Sequence, residues 1–138
     1  MRAKKILFFL VCVPFLLSGC IPSVGQQDMT GKDEYIRGAA APGFPSVPLY
    51  KGAQVVESYG FEGKFGASLI TGGDLSRVVK FYSETLPTLG WDASVSASGV
   101  NSFTFDIKNQ TQQGTIIVNT AADGETTAIT ISVLPTSQ

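Results

Sequence analysis

Histidine is absent from all 138 residues, and cysteine occurs only 2 times. Without an imidazole there can be no Ser-His-Asp triad, no Cys-His pair, no histidine metal cluster and no imidazole pH switch, since each needs that ring as base or ligand. Two cysteines cannot build a disulfide framework or a zinc knuckle. Positive charge is not in excess either: 10 Lys and Arg stand against 11 Asp and Glu, with no basic cluster, so nucleic acid is not an expected partner. A run long enough to span a bilayer, about 20 apolar residues, is also missing. The longest, Ile6 to Leu17, has 12 residues including Pro14.

That short run is informative in its position. Arg2, Lys4 and Lys5 precede it as a positive n-region, which makes it the h-region of a signal peptide. Directly after it stands Leu17-Ser18-Gly19-Cys20, which resembles the lipobox of bacterial lipoproteins at all four positions. The resemblance implies that signal peptidase II recognises Leu17, Ser18 and Gly19 and cuts before Cys20, whose sulfur carries the lipid. Small residues at 18 and 19 let an extended backbone enter a narrow protease site. Cys12 lies inside the apolar run and would leave with residues 1–19.

On this reading the mature chain starts at Cys20 with its sulfur in a thioether, and palmitate-type acyl chains anchor it to a membrane that it does not span. The position after the cysteine is Ile21 and not the aspartate of inner-membrane lipoproteins. The implied address is the periplasmic face of the outer membrane in a two-membrane cell, or the outer face of the cytoplasmic membrane in a one-membrane cell. Loss of Arg2, Lys4 and Lys5 turns 10 basic residues into 7 against 11 acidic ones, so the mature protein is acidic at about −4.

Residues 20–44 show no apolar period and read as a lipidated N-terminus followed by a linker, with a short helix expected around Asp33 to Arg37. One folded domain is expected over residues 45–138. Phe44-Pro45 and Pro48 impose extended chain, and Lys51-Gly52 a turn. Strands are predicted over 53–59 and 65–71, joined by a loop at Gly60 to Lys64. Val55 and Tyr59 are expected on one face of the first strand, Val56 and Ser58 on the other. Leu75, Val78, Val79, Tyr82, Leu86 and Leu89 then recur at helical spacing along one stripe. Asp74 sits at the N-cap position, Pro87 should end regular helix near Leu86, and Gly90 provides a stop. Four alternating stretches follow, at Trp91 to Ala97, Phe103 to Ile107, Ile116 to Val118 and Ile129 to Val133. Short turns between them predict an antiparallel meander. The expected fold is α+β, one amphipathic helix on an antiparallel sheet in the order ββαββββ.

Two further resemblances concern the domain. Pro45, Pro48, Tyr50, Gly52-Ala53, then Val78, Phe81-Tyr82, Leu86 and Gly90-Trp91, are similar to a group of small envelope lipoproteins sharing P-x-x-P-x-Y-x-G-A and V-x-x-F-Y-x-x-x-L-x-x-x-G-W. That group implies a fold and no chemistry. The stretch Asp74 to Tyr82 with Leu86 and Leu89-Gly90 also looks like the helix of the βαβββ module of glyoxalase and vicinal-oxygen-chelate proteins. Those enzymes pair two modules and bind a divalent metal through His, Glu or Gln. This chain has one module's worth of sequence, no histidine and no evident ligand pair, so no metal or cofactor is expected.

No catalytic residue is assigned. Glu57, Glu62, Asp92 and Asp106 fall on separate strands and loops, and neither G-x-S-x-G nor Ser-x-x-Lys occurs. Trp91 is expected in the core. Ser94, Ser96, Ser102, Thr104, Thr115, Thr130 and Ser132 lie opposite the apolar positions, as on a solvated sheet face that could also hold glycan. Tyr59, Phe61 and Phe65, with Glu62 and Lys64, form the candidate binding surface. The expected function is a non-catalytic envelope module that binds another protein or a cell-wall component. The competing reading is a small hydrolase or metal-chelate enzyme, which requires a pocket with convergent carboxylates or a Ser-Lys contact.

Overall fold

The computed structural model describes residues 34–137, with side chains from residue 37 onward. Leu17, Ser18, Gly19 and Cys20 lie outside the described residues. None of the described helices is long and apolar enough to cross a membrane.

In chain order the elements are β1 (Glu34–Ile36), β2 (Gln54–Phe61), β3 (Lys64–Thr71), α1 (Leu75–Thr88), β4 (Asp92–Gly99), β5 (Ser102–Lys108), β6 (Gln112–Thr120) and β7 (Thr127–Pro135). The architecture is α+β: six strands in the ββαββββ order with one helix packed on them, and the short β1 added at an edge. All neighbours are antiparallel, in the spatial order β1-β2-β3-β7-β6-β5-β4. The meander β4 to β7 thus closes onto β3. The strand Glu34–Ile36 stands where the sequence suggested a short helix, and it begins the sheet upstream of residue 44.

The apolar alternation of β3, β5, β6 and β7 becomes one buried layer, whereas in β4 only Ala93 is partly covered and Val95 stays half exposed, short of the half-buried strand the alternation predicts. Leu69, Phe105, Ile107, Ile116, Val118, Ile129, Ile131 and Val133 face Val78, Tyr82 and Leu86 of the helix, all nearly inaccessible to water. Burying a side chain of this size contributes roughly 1.5–3 kcal/mol, and this layer is what holds the helix to the sheet. Trp91 joins it, and its indole nitrogen donates to the Ser46 carbonyl at 3.2 Å. That bond pins the proline-rich segment over the part of the sheet that α1 leaves uncovered. Val47 is buried there, Tyr50 meets Phe81 edge to face, and Ser58, polar and inaccessible, donates to the Ala39 carbonyl at 2.7 Å.

The ends of α1 differ from expectation in two respects. Asp74 occupies the N-cap position without a side-chain cap; its carboxylate meets Arg77 at 3.3 Å instead. The helix also runs through Pro87 to Thr88, because the proline falls in the last turn, where one lost hydrogen bond is tolerated. Closure follows the Schellman pattern: Gly90, at φ +82, donates to Pro87, and Trp91 donates to Leu86.

One strand position constrains the sheet more than its size suggests. A Cβ at Gly114 would run into the backbone of Ser132 and Val133 on the neighbouring strand β7, which no rotamer change can relieve. Gly114→Ala is therefore expected to destabilise the domain by about 1–3 kcal/mol in denaturant unfolding, although the residue carries no side chain to lose. At Gly66 the atoms nearest a Cβ belong to the ring of Tyr59, an exposed side chain that can swing away. Gly66→Ala should leave the unfolding midpoint nearly unchanged.

Candidate functional site

The helix and the proline-rich segment cover one face of the sheet; among the described residues nothing covers the other. Its composition follows from register. Residues directly opposite in antiparallel strands share a face, so a row can be traced across the sheet: Ser94, Asp106, Thr115, Ser132, Gly66 and Tyr59. The adjacent row holds Asp92, Lys108, Gln113 and Leu134. On the other side run Ser96, Thr104, Ile117, Thr130 and Ser68. The face is thus hydroxyl-rich as the sequence implied, with Ile117 and Leu134 as exposed apolar points within it.

Among the described residues, this face carries a larger and a smaller depression. The larger, about 480 Å³, is bordered by Asp92, Ser94, Asp106, Lys108, Gln113, Thr115 and Leu134. The smaller, about 100 Å³, lies between Tyr59, Gly66, Ser68, Thr130 and Ser132. The absence of a side chain at Gly66 makes room for the Tyr59 ring to lie across the strand beside it. An aromatic plate therefore stands toward the β2 end of the face and a charged groove toward the β4 end.

The five residues singled out from sequence are only partly brought together. Tyr59 and Phe61, 45% and 42% exposed, share the open face of β2, and Lys64 lies opposite Phe61. Glu62 sits with Gly63 at the tip of the hairpin, both at positive φ, a two-residue turn in place of the expected loop from Gly60 to Lys64. Phe65 is not part of this surface. It is half-buried on the helix side, edge to face with Phe44 at 5.9 Å.

A β-bulge accounts for the placement of Tyr59. Val55 pairs with Leu69 and Glu57 with Ser68, leaving Val56 as the extra residue. Every side chain after it moves to the other face, so Tyr59 parts from Val55, and Ser58 takes the core side. Strict period-2 counting had placed Val55 and Tyr59 together.

The groove at the β4 end is the feature that spacing did not reveal. Asp92 and Asp106 belong to different strands, and only the β4–β5 register places them, with Ser94 and Lys108, around one depression. All four are exposed. Such a site offers carboxylate and hydroxyl acceptors, hydroxyl and ammonium donors, and an apolar contact at Leu134 to a ligand that keeps much of its hydration. The described ion pairs, Arg77 with Asp74 and Lys80 with Glu84, both lie on the helix side. Among the described residues no group of three or more His, Cys, Asp or Glu side chains is placed to hold a metal ion. Comparison with protein-family models, curated proteins and solved structures finds no match to this chain.

Proposed function

We propose that this chain is a lipid-anchored envelope protein whose domain is a non-catalytic binding module, presenting its open sheet face to another envelope protein or to a cell-wall component. The observation that carries the anchoring is the run Leu17-Ser18-Gly19-Cys20 immediately after a charged n-region and a short apolar segment. Binding by the open face is supported by its row of hydroxyls, with Tyr59 and Phe61 at one end and the Asp92, Asp106 and Lys108 groove at the other. Aromatic plates and shallow arrays of hydrogen-bonding groups suit extended, hydrated ligands, whereas desolvated acid–base chemistry needs an enclosed site.

The anchor and the domain fit one another in length. Between Cys20 and Glu34, where the described sheet begins, stand residues 21–33, and 13 residues can span at most about 45 Å. The domain would work close to the membrane that holds it, with β1 as the tethered edge.

Site-specific photocrosslinking in intact cells tests the binding surface. A photoreactive residue at Phe61 or Thr115 is expected to capture a partner, and one at Ser83 on the helix is not. Tyr59→Ala with Asp106→Ala should reduce that capture roughly tenfold with an unchanged melting temperature, in line with the loss of a hot-spot contact. Equal capture from the helix and the sheet face would contradict the assignment.

A further inference from the structure

The two edges of the sheet are defended unequally. Exposed edge strands invite pairing with other chains, and proteins suppress it with short strands, bulges, prolines and lysines. On one edge β1 has only 3 residues, and the stretch of β2 beyond it carries the bulge at Val56. On the other edge, β4 has 8 residues, of which only Ala93 is partly covered. It contains no lysine, arginine or proline, and its single charge, Asp92, is its first residue. The register shift in β4 falls between Ala97 and Gly99, leaving residues 93–97 regular.

Those five residues read Ala93-Ser94-Val95-Ser96-Ala97, the same in both directions. Ala93, Val95 and Ala97 pair with Ile107, Phe105 and Phe103 and so belong to the core side, yet Val95 is 50% exposed. Ser94 and Ser96 belong to the open face.

We propose that β4 pairs antiparallel with β4 of a second copy of this chain, about a two-fold axis normal to the sheet at Val95. In that register Val95 faces Val95, Ala93 faces Ala97 and Ser94 faces Ser96 of the other copy. The core-side layer continues across the axis as Ala, Val, Ala, and the hydroxyl rows continue on the open face. Close apolar cross-strand pairs of this kind favour association. Asp92 falls opposite Ser98, and the two copies of Asp92 stand about 20 Å apart, beyond the screening length at physiological salt. Palindromic sequence favours a second copy, because in the two-fold register every one of the five positions meets a residue of its own type on both faces.

The rest of the fold permits it. Six interstrand spacings separate β4 from β1, so the paired edge lies about 29 Å across the sheet from the edge where residues 21–33 arrive. Pairing would bring the two charged grooves beside the axis, making one binding surface of 14 strands from two sheets of 7.

Cysteine crosslinking of the full-length chain tests the register. Under mild oxidation Val95→Cys should give a band of twice the monomer mass, well above that of the wild type and of Lys80→Cys on the helix. Ala93→Cys and Ala97→Cys should crosslink poorly alone and well when co-expressed. In sedimentation velocity in mild detergent the wild type should contain a dimer that Val95→Lys loses, with an unchanged melting temperature. A Val95→Cys band no stronger than the controls, a crosslink to a different protein, or a dimer that survives Val95→Lys would overturn the proposal. Sedimentation depends neither on acylation of Cys20 nor on ligand binding by the open face, and the wild-type control shows any disulfide formed through Cys12 or Cys20 itself.

Discussion

Cys20→Ala is expected to abolish incorporation of labelled palmitate and to leave residues 1–19 attached, since lipid transfer and cleavage both act at that sulfur. The consequence for attachment is large. Each buried methylene contributes about 0.8 kcal/mol; a single chain holds a protein only marginally, whereas two or more hold it stably. Replacing residues 1–20 with an ordinary cleavable secretion leader removes both the lipid and the apolar segment. The domain should then move from the membrane pellet to the soluble fraction. Its melting temperature should stay unchanged, because its core is drawn from residues beyond the leader. A leader-exchanged protein that still sediments with membranes would mean that the domain itself holds the membrane.

The second large effect concerns Tyr82. The ring is 0% exposed at the centre of the helix–sheet interface, against Phe81 at 5.1 Å and Phe105 at 5.9 Å. Tyr82→Ala would open a cavity of aromatic size, a loss of about 3–5 kcal/mol. Domains of this kind have only about 5–15 kcal/mol in total, so the variant should be partly unfolded at physiological temperature.

Tyr82→Phe should behave in the opposite way. The phenol oxygen is buried with no well-formed hydrogen bond, the Tyr50 backbone offering only weak compensation. Removing it should leave stability unchanged or raise it by up to about 1 kcal/mol. The same oxygen predicts an alkaline limit. Burial pushes the phenol well above its ordinary value of 10.0, against a smaller lowering by the Tyr50 backbone. Below pH 10 the group is protonated in both folded and unfolded chains and has no effect on the balance. Above it the unfolded chain ionises first, and stability should fall by roughly 1.4 kcal/mol per pH unit. Unfolding curves at pH 9 to 11 should show that decline in the wild type and a shallower one in Tyr82→Phe.

How far the sequence reveals the molecule depends on how local each signal is. The helix stripe from Leu75 to Leu86 and most of the apolar alternation of β5, β6 and β7 are properties of consecutive residues, and the structure places them in or against the core; Leu89, past the end of regular helix, is exposed, and Phe103 lies outside the core cluster. The bulge at Val56 is a property of two strands in register, so counting along one strand groups Tyr59 with Val55, although Tyr59 is exposed as a surface residue should be. Phe65 departs from the surface expected of it for a related reason: its partner is Phe44, at the boundary between linker and domain. The strand Glu34–Ile36 has too few residues to show a period and exists only because β2 offers it an edge. The groove of Asp92, Asp106 and Lys108 is legible afterwards, since each occupies the polar parity of an alternating strand. Sequence parity supplies the face, but only the register brings the three charges together.

The most direct test of the account is the mass of the N-terminal peptide from the wild-type protein purified from membranes. The peptide is expected to begin at Cys20 and to carry a diacylglyceryl group on sulfur, with Met1 to Gly19 absent. A peptide that includes unmodified Cys20 within an uncleaved leader, or a mature start at any other residue, would contradict it.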